Sequence, residues 1–199
     1  MSQLPTDRLR AFVFKRRGTL LAIPAVALAA FGKPSALSVT LGLPIAFAGE
    51  LLRCWAVGYT GVTTRGDHVT APELITGGPY AYVRNPLYLG NFVTAAGFAL
   101  AFTGKNAGPA RWALVAGSLA AMAAVYATIV PHEEGFLHAQ FGDAFERYRE
   151  RVPSILPQTQ PMPDGIGRWR ASAINEAESR TFMTFGAMLA ALAVKAMRG

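Results

Sequence analysis

The sequence predicts an all-α integral membrane protein, a helical bundle of about five transmembrane helices with cytoplasmic amphipathic helices. Hydrophobic residues make up 52% of the 199 residues and charged residues only 16%, a more apolar balance than that of ordinary soluble domains. The apolar residues are grouped in runs that approach the ~20 residues a membrane helix needs. Most of the basic residues flank these runs.

Five apolar runs are candidate spans. Short turns at Lys33–Ser35 and Gly104–Pro109 predict that the first two spans, and the third and fourth, form antiparallel hairpins. Residues 1–199 are expected to form one membrane-embedded domain. The predicted spans are Gly18–Gly32, Ser35–Tyr59, Leu87–Thr103, Ala110–Val130 and Thr181–Met197.

The net charge of +7 indicates an orientation in the bilayer rather than nucleic-acid binding. Residues 1–17 form a basic lead-in expected at headgroup level, and residues 158–180 form a cytoplasmic interfacial segment. The positive-inside rule therefore predicts a multi-pass protein with its N-terminus and both large loops in the cytoplasm. Lys195 and Arg198, beyond the last span, fit this rule less well.

Residues that bind metals or form disulfides are scarce. Cys54 is the single cysteine, and the three histidines form no zinc-type cluster with it. Neither an internal disulfide nor a bound metal is expected.

The stretch from Gly77 to Gly90 carries the strongest local signal. Asn85-Pro86 predicts a helix start, since asparagine suits the N-cap and proline the first helical position. The first amides of such a helix can bind an anion, and Arg84 stands next to them. Alternatively, Arg84 and the nearby tyrosines serve only as anchors at the membrane interface.

Two ionisable residues lie inside the second predicted span. Glu50 and Arg53 are three positions apart and therefore share one helix face. Ionisable residues in a span usually face the protein interior or a polar cavity. A functional role is favoured, and a simple pair between the two residues is the alternative.

The longest polar loop, from His132 to Arg180, opens with Glu133 and Glu134. Apolar and aromatic residues then recur at helical spacing from Leu137 to Val152 and predict one amphipathic helix that Pro153 ends. The glutamates could merely complement a helix dipole in a first turn after Pro131. Arg168–Arg180 predicts a second short interfacial helix with Trp169 as anchor.

The predicted topology brings these three groups to one side of the membrane. Together they offer anion donors, carboxylates for an ammonium group, and aromatic walls. A ligand with an amino acid end and a ring suits this mixture, and S-adenosyl-L-methionine is such a molecule.

The two motifs, in this order and separated by a membrane hairpin, resemble those of the isoprenylcysteine carboxyl methyltransferase family and of the related membrane phospholipid methyltransferases. The first is Gly-Pro-Tyr-x-Tyr-Val-Arg-Asn-Pro-Leu-Tyr-Leu-Gly, and the second begins Glu-Glu-x-x-Leu. The resemblance covers roughly residues 45–157. It implies an enzyme that binds S-adenosyl-L-methionine from the cytosol and takes a lipid-like or amphiphilic methyl acceptor from the bilayer.

The resemblance also implies the site residues. Many members have histidine where this chain has Asn85, which can donate a hydrogen bond but cannot act as a base. A mechanism that needs a histidine base at this position is therefore doubtful here. The implied cofactor-binding residues are Tyr80, Tyr82, Val83, Arg84, Asn85, Pro86, Tyr88, Leu89, Gly90, Glu133, Glu134, Leu137, Tyr148 and Arg151.

We assign roles to five residues as a hypothesis. Arg84 and the helix end would bind the cofactor carboxylate, and Glu133 or Glu134 its ammonium group. Arg53 would orient an anionic acceptor, with Glu50 paired to it.

The acceptor stays open among a prenylated cysteine, a phospholipid amine, a fatty acid and a small thiol, with carboxyl methylation of an isoprenylcysteine-like substrate favoured by the resemblance. Two other classes of protein are alternatives: a membrane sterol-type reductase that uses NADPH, and a non-catalytic membrane scaffold. Binding of labelled S-adenosyl-L-methionine or of NADPH would discriminate among them.

Overall fold

The structure is a computed structural model that describes residues 5–61 and 71–198, with side chains from residue 12 onward. The described part of the chain contains seven α-helices and a short 3₁₀ helix, Gly78–Ala81. Parts of the basic lead-in and of the loop before the third span lie outside the described residues. The α-helices are α1 Pro5–Phe31, α2 Ala36–Thr60, α3 Pro86–Phe102, α4 Gly108–Phe141, α5 Asp143–Arg151, α6 Ser172–Ala177 and α7 Ser179–Arg198.

The helices confirm the predicted all-α membrane fold. Five long helices, α1 to α4 and α7, form where the five spans were predicted. Among the described residues, α2, α4 and α7 have both the length and the apolarity to cross a membrane, and α3 is a shorter apolar helix. Many large apolar side chains are exposed on these helices, as expected for surfaces that face lipid: Ile23, Val26, Leu37, Leu41, Leu51 and Met183.

The chain forms two compact units. The first contains residues up to Gly49, Phe92–Ile129 and the chain from Thr181, and the second contains Glu50–Asn91 and Val130–Arg180. The prediction of one domain for the whole chain stays a prediction.

The first unit has an apolar core in which two helices touch through their backbones. A Cβ on Gly97 would lie 2.3 Å from the Ala46 backbone nitrogen, and one on Gly42 would lie 2.5 Å from the Gly97 carbonyl oxygen. Only residues without a side chain permit this approach of α2 to α3, a common device for helix contact in lipid. The buried core residues are Leu28, Ala46, Phe98, Ala99, Ala101, Phe102, Phe185, Met188 and Leu192.

Polar side chains fasten the helix ends of the first unit. Lys195 Nζ donates to the carbonyls of Ala30 at 2.9 Å and Gly32 at 3.0 Å, at the end of α1 where carbonyls lack intrahelical partners. The Asn106 side chain accepts from the Lys33 amide at 2.8 Å and donates to the Phe31 carbonyl at 3.1 Å. Lys195, which fits the positive-inside rule poorly, thus has a local role.

The second unit has its own core around α5. Phe145, Tyr148 and Val152 are buried with Leu74, and Leu137, Phe141 and Met162 pack against them. The unit therefore joins the loop before α3 to the segment that follows α4.

Two sequence predictions for this region are wrong, and the alternative reading of Glu133 and Glu134 does not hold. No helix starts after Pro131, because α4 continues through that proline to Phe141, so Glu133 and Glu134 lie inside a helix. The predicted helix from Leu137 to Val152 is broken at Gly142, whose φ of +50° favours glycine. The predicted helix Arg168–Arg180 is not continuous: α6 covers only Ser172–Ala177, α7 begins at Ser179, and Trp169 precedes both.

Candidate functional site

The first motif forms a turn followed by a helix start. Gly78 has a φ of +59°, and a Cβ there would lie 2.2 Å from the Tyr59 ring, so glycine is required by both conformation and space. The Asn85 carbonyl accepts the amides of Tyr88 and Leu89, each at 3.1 Å. Helix α3 thus begins at Pro86, as predicted.

The backbone of this motif is bonded to the segment after α5. The Arg84 amide donates to the Pro153 carbonyl at 2.8 Å, and the Asn85 amide donates to the Ser154 carbonyl at 3.2 Å. The amides of Gln158 and Met162 donate back to the carbonyls of Tyr82 and Ala81, at 3.0 and 2.9 Å. Two segments about 70 residues apart in sequence are therefore held side by side.

Arg84 connects the two motifs through its guanidinium group. Its Nε lies 3.0 Å from Glu134 Oε1, and one terminal nitrogen lies 3.2 Å from Glu134 Oε2. The other terminal nitrogen donates to the carbonyls of Arg149 and Val152 at the end of α5. This fork geometry is characteristic of arginine paired with a carboxylate.

Glu134 accepts hydrogen bonds from three residues. Besides the two from Arg84, Asn85 Nδ2 lies 3.2 Å and the Ser154 hydroxyl 3.3 Å from Glu134 Oε1. Three of these four hydrogen bonds end on Oε1 and one on Oε2, so Arg84 contacts both oxygens of the carboxylate.

Glu133 lies in a different local environment from its neighbour. Its Oε1 accepts a hydrogen bond of 2.7 Å from the Tyr88 hydroxyl, in the first turn of α3. Adjacent residues on α4 thus contact different partners on the first motif, the phenol for Glu133 and the guanidinium for Glu134.

Two buried tyrosines keep their protons. Burial raises the pKa of Tyr80 and of Tyr148 far above the ordinary phenol value. The Tyr148 hydroxyl donates to the Tyr80 carbonyl at 2.8 Å, and the Tyr80 hydroxyl lies 3.5 Å from the Thr60 hydroxyl. Both phenols therefore serve as neutral donors at physiological pH.

The other predicted cofactor-binding residues lie in several different environments. The Tyr82 ring lies 6.4 Å from that of Trp55, and Leu137 packs against the core of the second unit. Arg151 is exposed in the last turn of α5. Val83, Pro86 and Gly90 are buried, and Leu89 is partly buried.

The ionisable residues of the second span form a separate buried network. Glu50 Oε2 lies 3.8 Å from Arg53 Nε, so the predicted pair is present. The closer partner of Arg53 is Glu178, whose two oxygens each lie 2.9 Å from one guanidinium nitrogen. The other terminal nitrogen lies 2.6 Å from the Asn91 side-chain oxygen. The guanidinium therefore has strong internal partners, which leaves it little capacity to orient an acceptor.

Comparison with known proteins identifies the family. A family model described as phospholipid methyltransferase matches residues 37–144, more than half of the chain. The chain belongs to the phospholipid methyltransferase family. It is also 32% identical, over 115 residues, to a protein-S-isoprenylcysteine O-methyltransferase of Schizosaccharomyces pombe.

The match to this relative is partial. It covers 55% of the chain and 45% of the yeast protein, so the chain spans about half the length of the relative that it matches. No solved structure matches the chain. The family match includes Arg84 and Glu134 but ends before Tyr148 and Ser154.

Sequence reasoning did not identify three polar residues that bind the charged side chains: Ser154, Asn91 and Glu178. Ser154 and Asn91 are ordinary polar residues in sequence, and Glu178 stands in a polar segment far from Arg53. The one usable signal was Arg53 itself, since a charge inside a span requires a partner. Within the described residues, no group of three or more histidine, cysteine or acidic side chains could hold a metal ion.

Proposed function

We propose that this chain is an S-adenosyl-L-methionine-dependent membrane methyltransferase that acts on an amphiphilic acceptor from the bilayer. Membership of the phospholipid methyltransferase family supports the reaction class. The name of the yeast relative supports carboxyl methylation of an isoprenylcysteine-like acceptor over methylation of an amine or a small thiol.

The observation that carries the proposal is the contact between Arg84 and Glu134. It joins Arg84, which precedes α3, to Glu134 on α4 at 3.0 Å. The Glu133 carboxylate and the Tyr88 hydroxyl lie beside this pair. An amino acid moiety needs a cationic group for its carboxylate and a carboxylate for its ammonium group. The donor set therefore fits S-adenosyl-L-methionine.

The hydrogen bonds divide the roles of the two glutamates. Glu134 accepts hydrogen bonds from Arg84, Asn85 and Ser154, and we assign it the role of positioning Arg84. We assign the cofactor ammonium group to Glu133, whose carboxylate lies beside Tyr88 in the first turn of α3.

Arg84 combines a structural role with binding. In the described part of the chain, its contacts use four of its five N–H groups. The fifth would bind the cofactor carboxylate, together with the positive N-terminal end of α3.

The proposed methyl transfer requires that donor and acceptor are aligned and does not require a proton transfer. The bound cofactor supplies a methyl group on a sulfonium, and the protein has to hold donor and acceptor in line with water excluded. Asn85 donates to Glu134 and Ser154 and supplies no base. A carboxylate acceptor needs none, which agrees with carboxyl methylation.

The acceptor reaches the site from the lipid side. Leu51 and Trp55 on α2 are 69% and 43% exposed, as suits residues in contact with acyl or prenyl chains. With the N-terminus and both large loops in the cytoplasm, the cofactor enters from the cytosol. The bilayer is then a partner of the protein, and nucleic acid is not.

Binding of radiolabelled S-adenosyl-L-methionine to the purified chain tests the cofactor, with NADPH as the competing ligand. Glu133→Gln is expected to weaken cofactor binding by about 10- to 100-fold, because a charged hydrogen bond is lost. Glu134→Gln should weaken it less and lower the melting temperature as well. Glu150→Gln, which changes an exposed glutamate of α5, is the matched control and should bind like wild type.

Two results would contradict the proposal. One is saturable binding of NADPH with no binding of S-adenosyl-L-methionine. The other is unchanged cofactor affinity in both Arg84→Ala and Glu133→Gln. Mass spectrometry of membrane extracts incubated with labelled cofactor then identifies the acceptor.

A further inference from the structure

A polar groove lies in the second unit, and the proposed methyl transfer does not use it. It has a volume of about 500 Å³ and is lined by Tyr59, Glu73, Ile75, Gly167, Arg168 and Arg170. Tyr59 is the next-to-last residue of α2, a helix long and apolar enough to cross a membrane. The groove therefore opens at the end of a candidate span, where headgroups lie.

The two arginines stand on a segment whose backbone is fixed at both ends. The amides of Thr76 and Gly77 donate to the Ile166 carbonyl at 3.0 and 2.8 Å, and the Ile166 amide donates to the Thr76 hydroxyl at 2.9 Å. The Arg170 amide donates to the Gly58 carbonyl at 2.8 Å. The guanidinium groups therefore extend from a held backbone.

Trp169, between the two arginines, is fixed on α2. A Cβ on Gly58 would lie 2.0 Å from the Trp169 indole nitrogen, so the ring rests on the bare backbone of that glycine. Trp169 nevertheless remains 48% exposed, and nearby Ile166 remains 47% exposed. An indole and an aliphatic chain beside two arginines are typical of the boundary between headgroups and acyl chains.

The charge of the groove is positive. Within residues 5–61 and 71–198, no carboxylate forms an ion pair with Arg168 or Arg170. Among the described residues that line the groove, Glu73 is the one acidic residue. Two guanidinium groups and a phenol are suited to the oxygens of a phosphate.

We propose that this groove binds the phosphodiester headgroup of a membrane phospholipid, through Arg168, Arg170 and Tyr59. Its position at the end of a candidate span favours a bilayer lipid over free phosphate. The exposed Trp169 and Ile166 lie against the first part of the acyl chains. Glu73 lowers the affinity for an anionic headgroup and limits how tightly the lipid is held.

Thermal melting of the full chain in a non-ionic detergent tests this proposal. The probe is dioctanoyl phosphatidylglycerol, compared with dioctanoylglycerol, which lacks the phosphate, and with inorganic phosphate. Phosphatidylglycerol is expected to raise the melting temperature in a saturable way. In Arg168→Gln/Arg170→Gln its half-saturating concentration should increase at least about tenfold, since charge-assisted contacts are lost.

Two further variants separate this effect from misfolding and from general charge. Glu73→Gln should decrease the half-saturating concentration about two- to fivefold, a gain that a damaged fold cannot mimic. Arg147→Gln/Arg149→Gln removes the same charge from the exposed surface of α5 and should leave that concentration within about twofold of wild type.

Several outcomes would overturn the proposal. They are the absence of a saturable effect in wild type, equal stabilisation by dioctanoylglycerol or by inorganic phosphate, and an equal change in both double-arginine variants. None of these outcomes depends on whether the chain binds S-adenosyl-L-methionine.

Discussion

The core of the first unit and the polar network of the second are both buried, but different forces hold them. In the first unit, aromatic and aliphatic side chains such as Phe98, Phe102 and Phe185 surround the glycine contacts of α2 and α3. In the second, the buried Arg53 is held by Glu178 and Asn91, and Arg84 is held by Glu134.

The two regions therefore depend on different kinds of residue. Apolar side chains gain little by leaving lipid for protein, so helices in a membrane associate through close packing and small residues. Buried charges need a specific partner, because an unpaired charge is costly. We therefore expect the first unit to tolerate changes of apolar side chains and to be sensitive at its glycines, whereas the second should be sensitive at single charges.

Removing Glu178 should have the largest effect. Glu178→Ala removes both 2.9 Å contacts of Arg53 with that carboxylate and leaves Glu50 at 3.8 Å, so it is expected to cost about 2–3 kcal/mol of stability. Glu176→Ala, at an exposed position of α6, is the control and should cost less than about 0.5 kcal/mol. Thermal melting in detergent measures both, and equal melting temperatures would contradict the role given to the ion pair.

A methyl group at Gly97 tests the close contact of α2 and α3. Gly97→Ala places a Cβ 2.3 Å from the Ala46 backbone nitrogen, and the helices must separate at a cost of about 1–3 kcal/mol. Gly117→Ala on α4 has open space around its Cβ and should stabilise its helix by up to about 1 kcal/mol. Opposite changes in melting temperature are expected, and a loss of the same size in both variants would exclude the packing explanation.

The Tyr148 hydroxyl should contribute a pH-dependent part of the stability. Its raised pKa means that the folded state favours the neutral phenol, so this contribution is complete below about pH 10, the pKa of an unfolded tyrosine. It is lost as the pH rises further, because the unfolded state then ionises first. Tyr148→Phe should cost about 1 kcal/mol at neutral pH and reduce the fall in melting temperature above about pH 10. An identical alkaline fall in wild type and variant would count against this account.

Lys195 should give the smallest effect. Lys195→Gln loses a charge that caps the carbonyls of Ala30 and Gly32, for which about 0.5–1 kcal/mol is expected. Arg198→Gln, three residues further along α7, is exposed and should leave the melting temperature unchanged. If both variants melt alike, Lys195 does not stabilise the end of α1.

The parts of the molecule that local chemistry determines could be predicted. Asn85-Pro86 placed the start of α3 at the correct residue, and the apolar runs located the long helices. Pro131 was misread as a helix end, since a proline removes only one backbone donor and α4 continues through it. The break at Gly142 was missed because the apolar spacing continues across it.

Partners that are distant in sequence could not be predicted. Nothing near Glu178 indicates a buried residue, yet it is fully buried against Arg53. That Arg84 and Glu134 belong to one site was expected only because the two motifs follow each other in a recognisable order, and their direct contact was not predicted. Which of the two glutamates satisfies Arg84 depends on geometry that sequence spacing does not contain.

The separation of Arg53 from Glu178 has a consequence for biogenesis. The two residues are 125 positions apart, and at about 5–20 residues per second the ribosome needs roughly 6–25 s to make the second after the first. During that interval α2 enters the bilayer with its arginine before the permanent counter-ion exists. Glu50, one helical turn earlier and 3.8 Å from Arg53, is present from the beginning and can shield the charge until the ribosome has delivered Glu178.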